Sequence, residues 1–309
     1  MKTIREFIKA SRFSIVPVML MPVLLGALGA YAWEGSWNIG LLLLTGIGAG
    51  AMHLFSNMIN DLWDYRNETD GMAAQMEGSI QTNSQFLTNG IWSEKKFARW
   101  TWLMFALALA CGVGLAVWSG YPVLIYGLLG GLIAYFYVAP PIQFGYRGKG
   151  YSELAIVIAF GVLPVVGSYY VQTSSFRWEA ILLSLPIGLL TTLILFNHHF
   201  LHWRADQAAG KRTLVVVLGE RRALRFSAML VGLSYLSLIV AAVAGAVPVY
   251  SLLALLTALP LVKVYRTLKD ENPSAAYLPL MQASLQASVR CGLVMAAALF
   301  VQGLLRFAF

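Results

Sequence analysis

Residues 38–70 read NIGLLLLTGIGAGAMHLFSNMINDLWDYRNETD. An apolar run long enough to cross the ~30 Å hydrocarbon core of a bilayer passes directly into amides and carboxylates: Asn57, Asn60, Asp61, Asp64, Glu68 and Asp70. The spacing from Asn57 to Asp61 and from Asp61 to Asp64 puts these side chains on one face of a helix, where the apolar run stops. The chain has only 14 acidic residues, yet Asp61, Asp64, Glu68, Asp70 and Glu77 fall together here. Crowded carboxylates repel one another unless a cation occupies the space between them. Hard oxygen donors suit Mg²⁺, which takes one or two carboxylates and fills its shell with water and phosphate oxygens. The stretch therefore reads as a membrane span ending in a Mg²⁺–pyrophosphate site. The competing reading is an acidic helix end in solvent, and the scarcity of acid elsewhere weighs against it.

The rest of the chain has the same character. Of its 309 residues, 59% are hydrophobic and 12% charged, with a mean hydropathy of +0.69. That leaves too little polar surface to coat a water-soluble globule of this size. The reading is an all-α, polytopic membrane protein forming a single domain over residues 1–309. Nine spans are expected, at 13–33, 38–63, 98–119, 122–139, 151–171, 179–203, 225–246, 248–267 and 289–308. The first resembles a signal peptide, with a basic start and Ala30-Tyr31-Ala32, but its apolar run is too long and further spans follow. With nine spans, every one of the 22 Lys and Arg except Arg177 and Arg306 lies nearer one side. The positive-inside rule makes that side, and the N-terminus, cytoplasmic. The expected location is the inner membrane of a bacterium or archaeon, with the site facing the cytoplasm. Basic flanks also account for the net charge of +8, so nucleic acid is not an expected partner. Cys111 and Cys291 form neither a disulfide framework nor a metal-ligand spacing.

A second cluster ends the sixth span: Asn197-His198-His199-Phe200-Leu201-His202-Trp203-Arg204-Ala205-Asp206. On one continuous helix, His198, His202 and Asp206 form a single stripe. The cluster as a whole holds three of the chain's four histidines. The fourth, His53, reads as a hydrogen-bonded core residue. Gly210-Lys211-Arg212-Thr213 then supplies a turn, two cations and a hydroxyl suited to phosphate oxygens. So does Tyr146-Arg147-Gly148-Lys149-Gly150, with Glu153 beyond it. Lys-Arg after a span is also ordinary membrane-surface charge.

Taken together, these stretches resemble the UbiA superfamily of intramembrane prenyltransferases, and most of all its 1,4-dihydroxy-2-naphthoate polyprenyltransferase branch. The likeness covers roughly residues 5–222. Asn60, Asp61, Asp64 and Asp70 match the family's Asn-Asp-x-x-Asp pattern and its later Asp, and Asn57 matches the preceding Asn. Residues 146–150, Gly161 through Pro164, and Gly167 through Thr173 resemble the region around its fifth span. Ala205-Asp206 and Gly210 through Leu214 match its loop after the sixth. One position departs: where the family has Asp-x-x-x-Asp, this chain has His202 before Asp206. Imidazole is a poor Mg²⁺ ligand. Either His202 acts by hydrogen bonding, or the second metal is held differently, or the reaction is altered.

The resemblance implies a nine-helix UbiA-like bundle around a lipid-accessible cavity, with Mg²⁺-dependent transfer of a prenyl group from a polyprenyl pyrophosphate to a small aromatic acceptor such as a quinone precursor. It implies Asp61, Asp64 and Asp206 as catalytic residues. Asn57, Asp61, Asp64, Asp70, His202 and Asp206 would hold metal, and Arg66, Arg147, Lys149, Lys211 and Arg212 the pyrophosphate. Asn60, Tyr137, Tyr146, Tyr169 and His198 would contact substrate. The faces of Tyr135, Tyr137, Tyr169 and Tyr170 are candidates to stabilise an allylic cation. Three alternatives remain: cyclisation of the prenyl pyrophosphate without an acceptor, a lipid-binding or transport protein on the same fold, and a histidine-rich oxygenase. Four histidines are too few for the last.

Overall fold

The computed structural model describes residues 2–67 and 84–307. Among these residues there is no strand, and one isolated bridge joins Arg147 to Arg212. A short helix, α1 (Lys2–Ala10), precedes the bundle. Seven helices among the described residues are long and apolar enough to cross a membrane. They are α2 (Phe13–Glu34), α3 (Ile39–Arg66), α4 (Glu94–Ser119), α6 (Tyr151–Thr173), α7 (Trp178–His199), α10 (Glu220–Val243) and α12 (Ser274–Phe307). Between them lie two shorter apolar helices, α5 (Pro122–Phe136) and α11 (Val249–Tyr265), and two short polar-end helices, α8 (Trp203–Ala208) and α9 (Leu214–Leu218).

The two shorter apolar helices fall on the fourth and eighth expected spans. The first ten residues of α11, Val249–Ala258, are wound as a 3₁₀ helix. At about 2.0 Å per residue there and 1.5 Å over Leu259–Tyr265, α11 is about 30 Å long despite its few residues. α5 has 15 residues, or about 22 Å, and backbone hydrogen bonds carry its helical turns on to Ala139.

Local chemistry sets the ends. The Asn38 side chain accepts from Leu41 N (3.0 Å) and starts α3, and Thr213 caps α9 in the same way. These caps satisfy amides that a helix start leaves open. The outward faces stay apolar: Leu43 and Ile47 on α3, Leu107 and Val113 on α4, and Leu236 and Val240 on α10 are exposed. The inward faces form one large core, which includes Leu25, Leu183, Ile187, Leu190, Leu238 and Met295. A second core, around Phe55, Met58, Ile59, Leu62, Trp92 and Phe97, braces the end of α3. Helices in lipid gain most from close backbone approach. α6 and α7 achieve it at paired glycines: a Cβ on Gly161 would stand 2.7 Å from Gly188 Cα and 3.0 Å from Ser184 O. Gly161 lies in a π-helical segment, Ile158–Val162.

Two expectations are corrected. The last helix begins well before residue 289, because the hydroxyls in its first half face other helices. Ser284 Oγ donates to Leu280 O (2.8 Å) and accepts from Asn197 Nδ2 (2.8 Å). The sixth helix does not run on to Asp206 as one stripe. α7 ends at His199, a turn passes through His202, and α8 follows.

Candidate active site

The ends of α3 and α7 meet α8 and the connections 137–150 and 209–213 around a cavity of about 520 Å³. Arg212 N donates to Tyr146 O (3.3 Å), which ties the two basic loops together. Gly148 is needed at that contact. Its φ is +61, and a Cβ there would stand 2.6 Å from Arg212 O. Asn57, Asn60, Asp61 and Asp64 line the cavity from α3. Opposite stand His198, His199, His202, Asp206, Lys211 and Thr213, and Tyr137 and Tyr146 close a third side. Val18, Ile156, Phe160, Ile194, Leu195, Met281 and Leu285 add an apolar surface to the wall, and Arg12, Ser14, His53, Ser56 and Thr191 also line it.

Each carboxylate of α3 meets a cation from elsewhere in the chain. Asp61 is 5% exposed; it accepts from Arg12 Nη2 at 2.6 Å and from Ser84 N at 3.0 Å. Asp64 accepts from the Tyr146 hydroxyl and from Lys211 Nζ, the latter at 3.1 Å. Lys211 also sits over the Tyr146 ring, 4.8 Å from its centroid. Burial, and then the Asp64 charge, hold the Tyr146 phenol well above its ordinary pKa, so it stays a donor. Burial, then Lys211, push His202 down to about 4, against an opposing pull from Asp64. The imidazole is therefore neutral near pH 7. Its Nε2 lies 3.7 Å from Asp206 Oδ2, which is a polar contact and not an ion pair. The His198 and His202 rings are 4.8 Å apart. The Nδ1 atoms of His53, His199 and His202 are buried without a hydrogen-bond partner among the described residues.

The donor set fits Mg²⁺ in one way only. Among the described residues no three His, Cys, Asp or Glu side chains form a metal cage. Asp61, Asp64 and Asp206 instead present hard oxygens around one cavity. That suits a Mg²⁺ ion completed by phosphate oxygens and water, which is how Mg²⁺ is usually held beside phosphates.

The structure therefore brings Asn57, Asn60, Asp61, Asp64, Tyr137, Tyr146, His198, His202, Asp206 and Lys211 to one cavity. It places seven other expected residues elsewhere. Arg66 pairs with Glu94 at 2.8 Å, with both side chains exposed. Arg147 Nε is bound to Ile142 O (2.8 Å); Lys149 and Arg212 are exposed and outside the cavity lining. Tyr169 is fully buried at the opposite end of α6, where its hydroxyl donates to Glu34 and its ring packs on Trp33. Tyr135 and Tyr170 likewise pack on other aromatic rings, away from the cavity. Asp70 lies outside the described residues.

Residues 19–302 match the UbiA prenyltransferase family. The chain belongs to this family. It is 30% identical over 206 residues to the 2-carboxy-1,4-naphthoquinone phytyltransferase of Synechocystis sp. (strain ATCC 27184 / PCC 6803 / Kazusa), covering 66% of this chain and 63% of that protein. It is 27% identical over 307 residues to the 1,4-dihydroxy-2-naphthoate octaprenyltransferase of Escherichia coli (strain K12), covering 96% of each. A UbiA homologue from Archaeoglobus fulgidus, solved with GPP and Mg²⁺, superposes with a TM-score of 0.64 at 16% identity over 94% of this chain and 99% of that one. At that identity the likeness speaks for a UbiA fold.

Sequence reasoning missed Arg12; it read His53 as a hydrogen-bonded core residue, which the buried side chain is, but not that it also lines the cavity. Arg12 heads the first span and looks like any basic membrane flank. Only folding carries it across to Asp61, where it also donates to Asn57 O at 2.9 Å. His53 has no acidic neighbour in sequence. Its position one helical turn before Asn57 was the available signal, and the two side chains are 3.4 Å apart.

Proposed function

We propose that this UbiA-family protein transfers a prenyl group from a prenyl diphosphate to an aromatic acceptor of the 1,4-dihydroxy-2-naphthoate kind, and that its cavity carboxylates would hold the Mg²⁺ that assists departure of the diphosphate. One observation carries the reading. Asp61, Asp64 and Asp206 share with Lys211 and Arg12 a cavity that is also lined by the apolar side chains of Val18, Ile156, Phe160, Ile194, Leu195, Met281 and Leu285. Relatives over most of the chain are named as naphthoate polyprenyltransferases, which supports the acceptor class.

In this reading Asp61, Asp64 and Asp206 hold the metal, assisted by Asn57 and, in the segment beyond the described residues, Asp70. Bound Mg²⁺ supplies Lewis-acid stabilisation of the diphosphate leaving group. Lys211 and Arg12 take phosphate oxygens once the carboxylates exchange partners, and the Tyr146 phenol donates a further hydrogen bond. Arg66, Arg147, Lys149 and Arg212 add positive potential around the entrance and steer the anionic donor. Phe160, Ile194, Leu195 and Leu285 keep water from the allylic cation. The Tyr137 ring and the neutral His198 imidazole contact the acceptor. Tyr169 has no substrate role here. Purified protein given Mg²⁺, prenyl diphosphates of several lengths and a panel of hydroxylated aromatics is expected to yield acceptor-plus-prenyl masses. Masses of cyclised prenyl alone would favour the cyclase reading.

His202 completes the second cluster by hydrogen bonding. His202→Asp restores a hard oxygen beside Asp206 and should keep or raise Mg²⁺-dependent turnover, whereas His202→Leu should lower it about tenfold. Equal rates in all three forms would make His202 a packing residue.

We further propose nine spans, counting α5 and α11, with the N-terminus and the cavity on the cytoplasmic side of a bacterial or archaeal inner membrane. Asn89 and Ser174 are both exposed, and the native Cys111 and Cys291 are buried. An impermeant thiol reagent should label Ser174→Cys but not Asn89→Cys in right-side-out vesicles. Labelling of both in those vesicles would exclude the nine-span arrangement.

A further inference from the structure

α10 and α11 are tied to each other at two levels. The Tyr265 hydroxyl is hydrogen-bonded to Ser227 Oγ, and the Tyr235 hydroxyl to Thr257 Oγ1 at 2.8 Å. Between the ties lies an open groove of about 300 Å³, lined by Ala228, Val231, Val262, Tyr265 and Arg266. More positive charge stands nearby. Arg225 lies one helical turn before Ala228, and Arg222 one turn before Arg225. Lys263 lies one turn before Arg266. All four of these cations are exposed. None of them has an ion-pair partner among the described residues: Asp270 pairs with Arg221 at 3.3 Å, Glu220 with Arg204 at 3.2 Å, and Glu271 with none of the four. Beyond the groove both helices stay apolar and outward-facing, with Leu233, Leu236, Leu256 and Leu259 exposed. Unneutralised cations beside an apolar groove complement one kind of molecule, an acidic headgroup on a hydrocarbon tail. The bland alternative is a basic flank that fixes orientation in the membrane. A flank needs charge alone and gives no reason for an apolar groove between the helices that carry it.

We propose that the α10–α11 groove binds an anionic phospholipid, with its phosphate on Arg225 and Arg266 and an acyl chain lying past Val231 and Val262. Arg222 and Lys263 add positive potential around the headgroup. The occupant is a lipid because the groove and the surface beyond it offer a tail more contact than a soluble anion could use. The groove lies at the same end of the bundle as the reaction cavity and is joined to it by hydrogen bonds. Ser227 Oγ donates to Asn197 Oδ1, and Asn197 Nδ2 donates to Ser284 Oγ at 2.8 Å. The residues that follow these two, His198 and Leu285, both line the cavity. The lipid therefore comes from the leaflet on the cavity's side of the membrane. Held against Tyr265, it braces α10 and α11 against α7 and α12, so binding stabilises the fold.

The test reads binding and not prenyl transfer, so it stands apart from the proposed function. The full chain is placed in nanodiscs of phosphatidylcholine with a rising share of phosphatidylglycerol. Native mass spectrometry reads the lipid retained on release, and thermal melting reads its effect. The parent should retain phosphatidylglycerol in preference to phosphatidylcholine and melt higher as its share rises. Arg225→Gln combined with Arg266→Gln should weaken that retention by about 25-fold, roughly fivefold for each cation. Its melting temperature in pure phosphatidylcholine should match the parent's. Lys95→Gln combined with Arg99→Gln removes the same charge from exposed positions of α4 and should leave retention unchanged. Ala228→Trp keeps every charge, fills the groove and should lose the retained lipid. If one of the two groove variants does not fold, the other decides. The inference falls if the folded arginine variant or the folded Ala228→Trp holds phosphatidylglycerol like the parent. It falls equally if the α4 variant loses the lipid to the same degree, which would mark a general effect of surface charge. A rise in the parent's melting temperature that inorganic phosphate reproduces in pure phosphatidylcholine would mark a soluble-anion site and overturn the lipid assignment.

Discussion

Asp64→Asn is expected to reduce prenyl transfer by on the order of 10³-fold while leaving the protein folded in detergent. The change is isosteric and removes one negative charge. Asp64 accepts from the Tyr146 hydroxyl and from Lys211 Nζ at 3.1 Å. An amide oxygen keeps a hydrogen bond to either donor but offers a divalent ion a far weaker ligand. The melting temperature should therefore move little while kcat collapses. Asp61→Asn should lose activity to a similar degree but also some stability. Asp61 is buried and paired with Arg12 at 2.6 Å, and its loss leaves a half-buried guanidinium without its counter-charge. Radiolabelled donor and a thermal melt on the same preparations check both. Full activity in both variants would remove α3 from the reaction centre.

The second large effect is on stability and comes from the middle of the membrane. Gly161→Leu should prevent recovery of monodisperse protein, and Gly161→Ala should cost about 1–3 kcal/mol by forcing α6 and α7 apart. The clash is with backbone, since a Cβ would stand 2.7 Å from Gly188 Cα. No side chain can rotate away to relieve it. A like-sized change at Gly127, where nothing lies within 4 Å of a Cβ, should leave the melting temperature unchanged. Equal melting of Gly161→Ala and Gly127→Ala would show that the α6–α7 contact is not the constraint the geometry implies.

Much of this protein is written in local sequence. Spans such as α3, α4 and α10 are apolar on the outward face because lipid, not water, meets it, so hydropathy finds them. The α3 carboxylates are legible because positions three and four apart share a helix face. What sequence misreads are cases where a remote partner changes the meaning of a residue. Arg12 resembles a membrane flank until Asp61 is beside it. Ser284 and Ser288 lower the hydropathy of α12, yet both are buried in a helix contact. Tyr169 belongs to a stretch that resembles the family's fifth span, but about 27 Å of helix separates it from Tyr151 at the cavity end. The stripe from His198 to Asp206 is broken at a turn, and the same side chains reach the cavity from two helices instead of one.

The most direct measurement of the central claim is transfer as a function of free Mg²⁺, with donor consumption and acceptor adduct quantified in the same tube for the parent and for Asp64→Asn. The account predicts no adduct in EDTA, a saturable rise with Mg²⁺ in the parent in which each donor consumed appears as one adduct, and a curve for Asp64→Asn that stays near the floor at every Mg²⁺ concentration. Adduct formed in EDTA, or donor consumed with no adduct in the presence of acceptor, would contradict it.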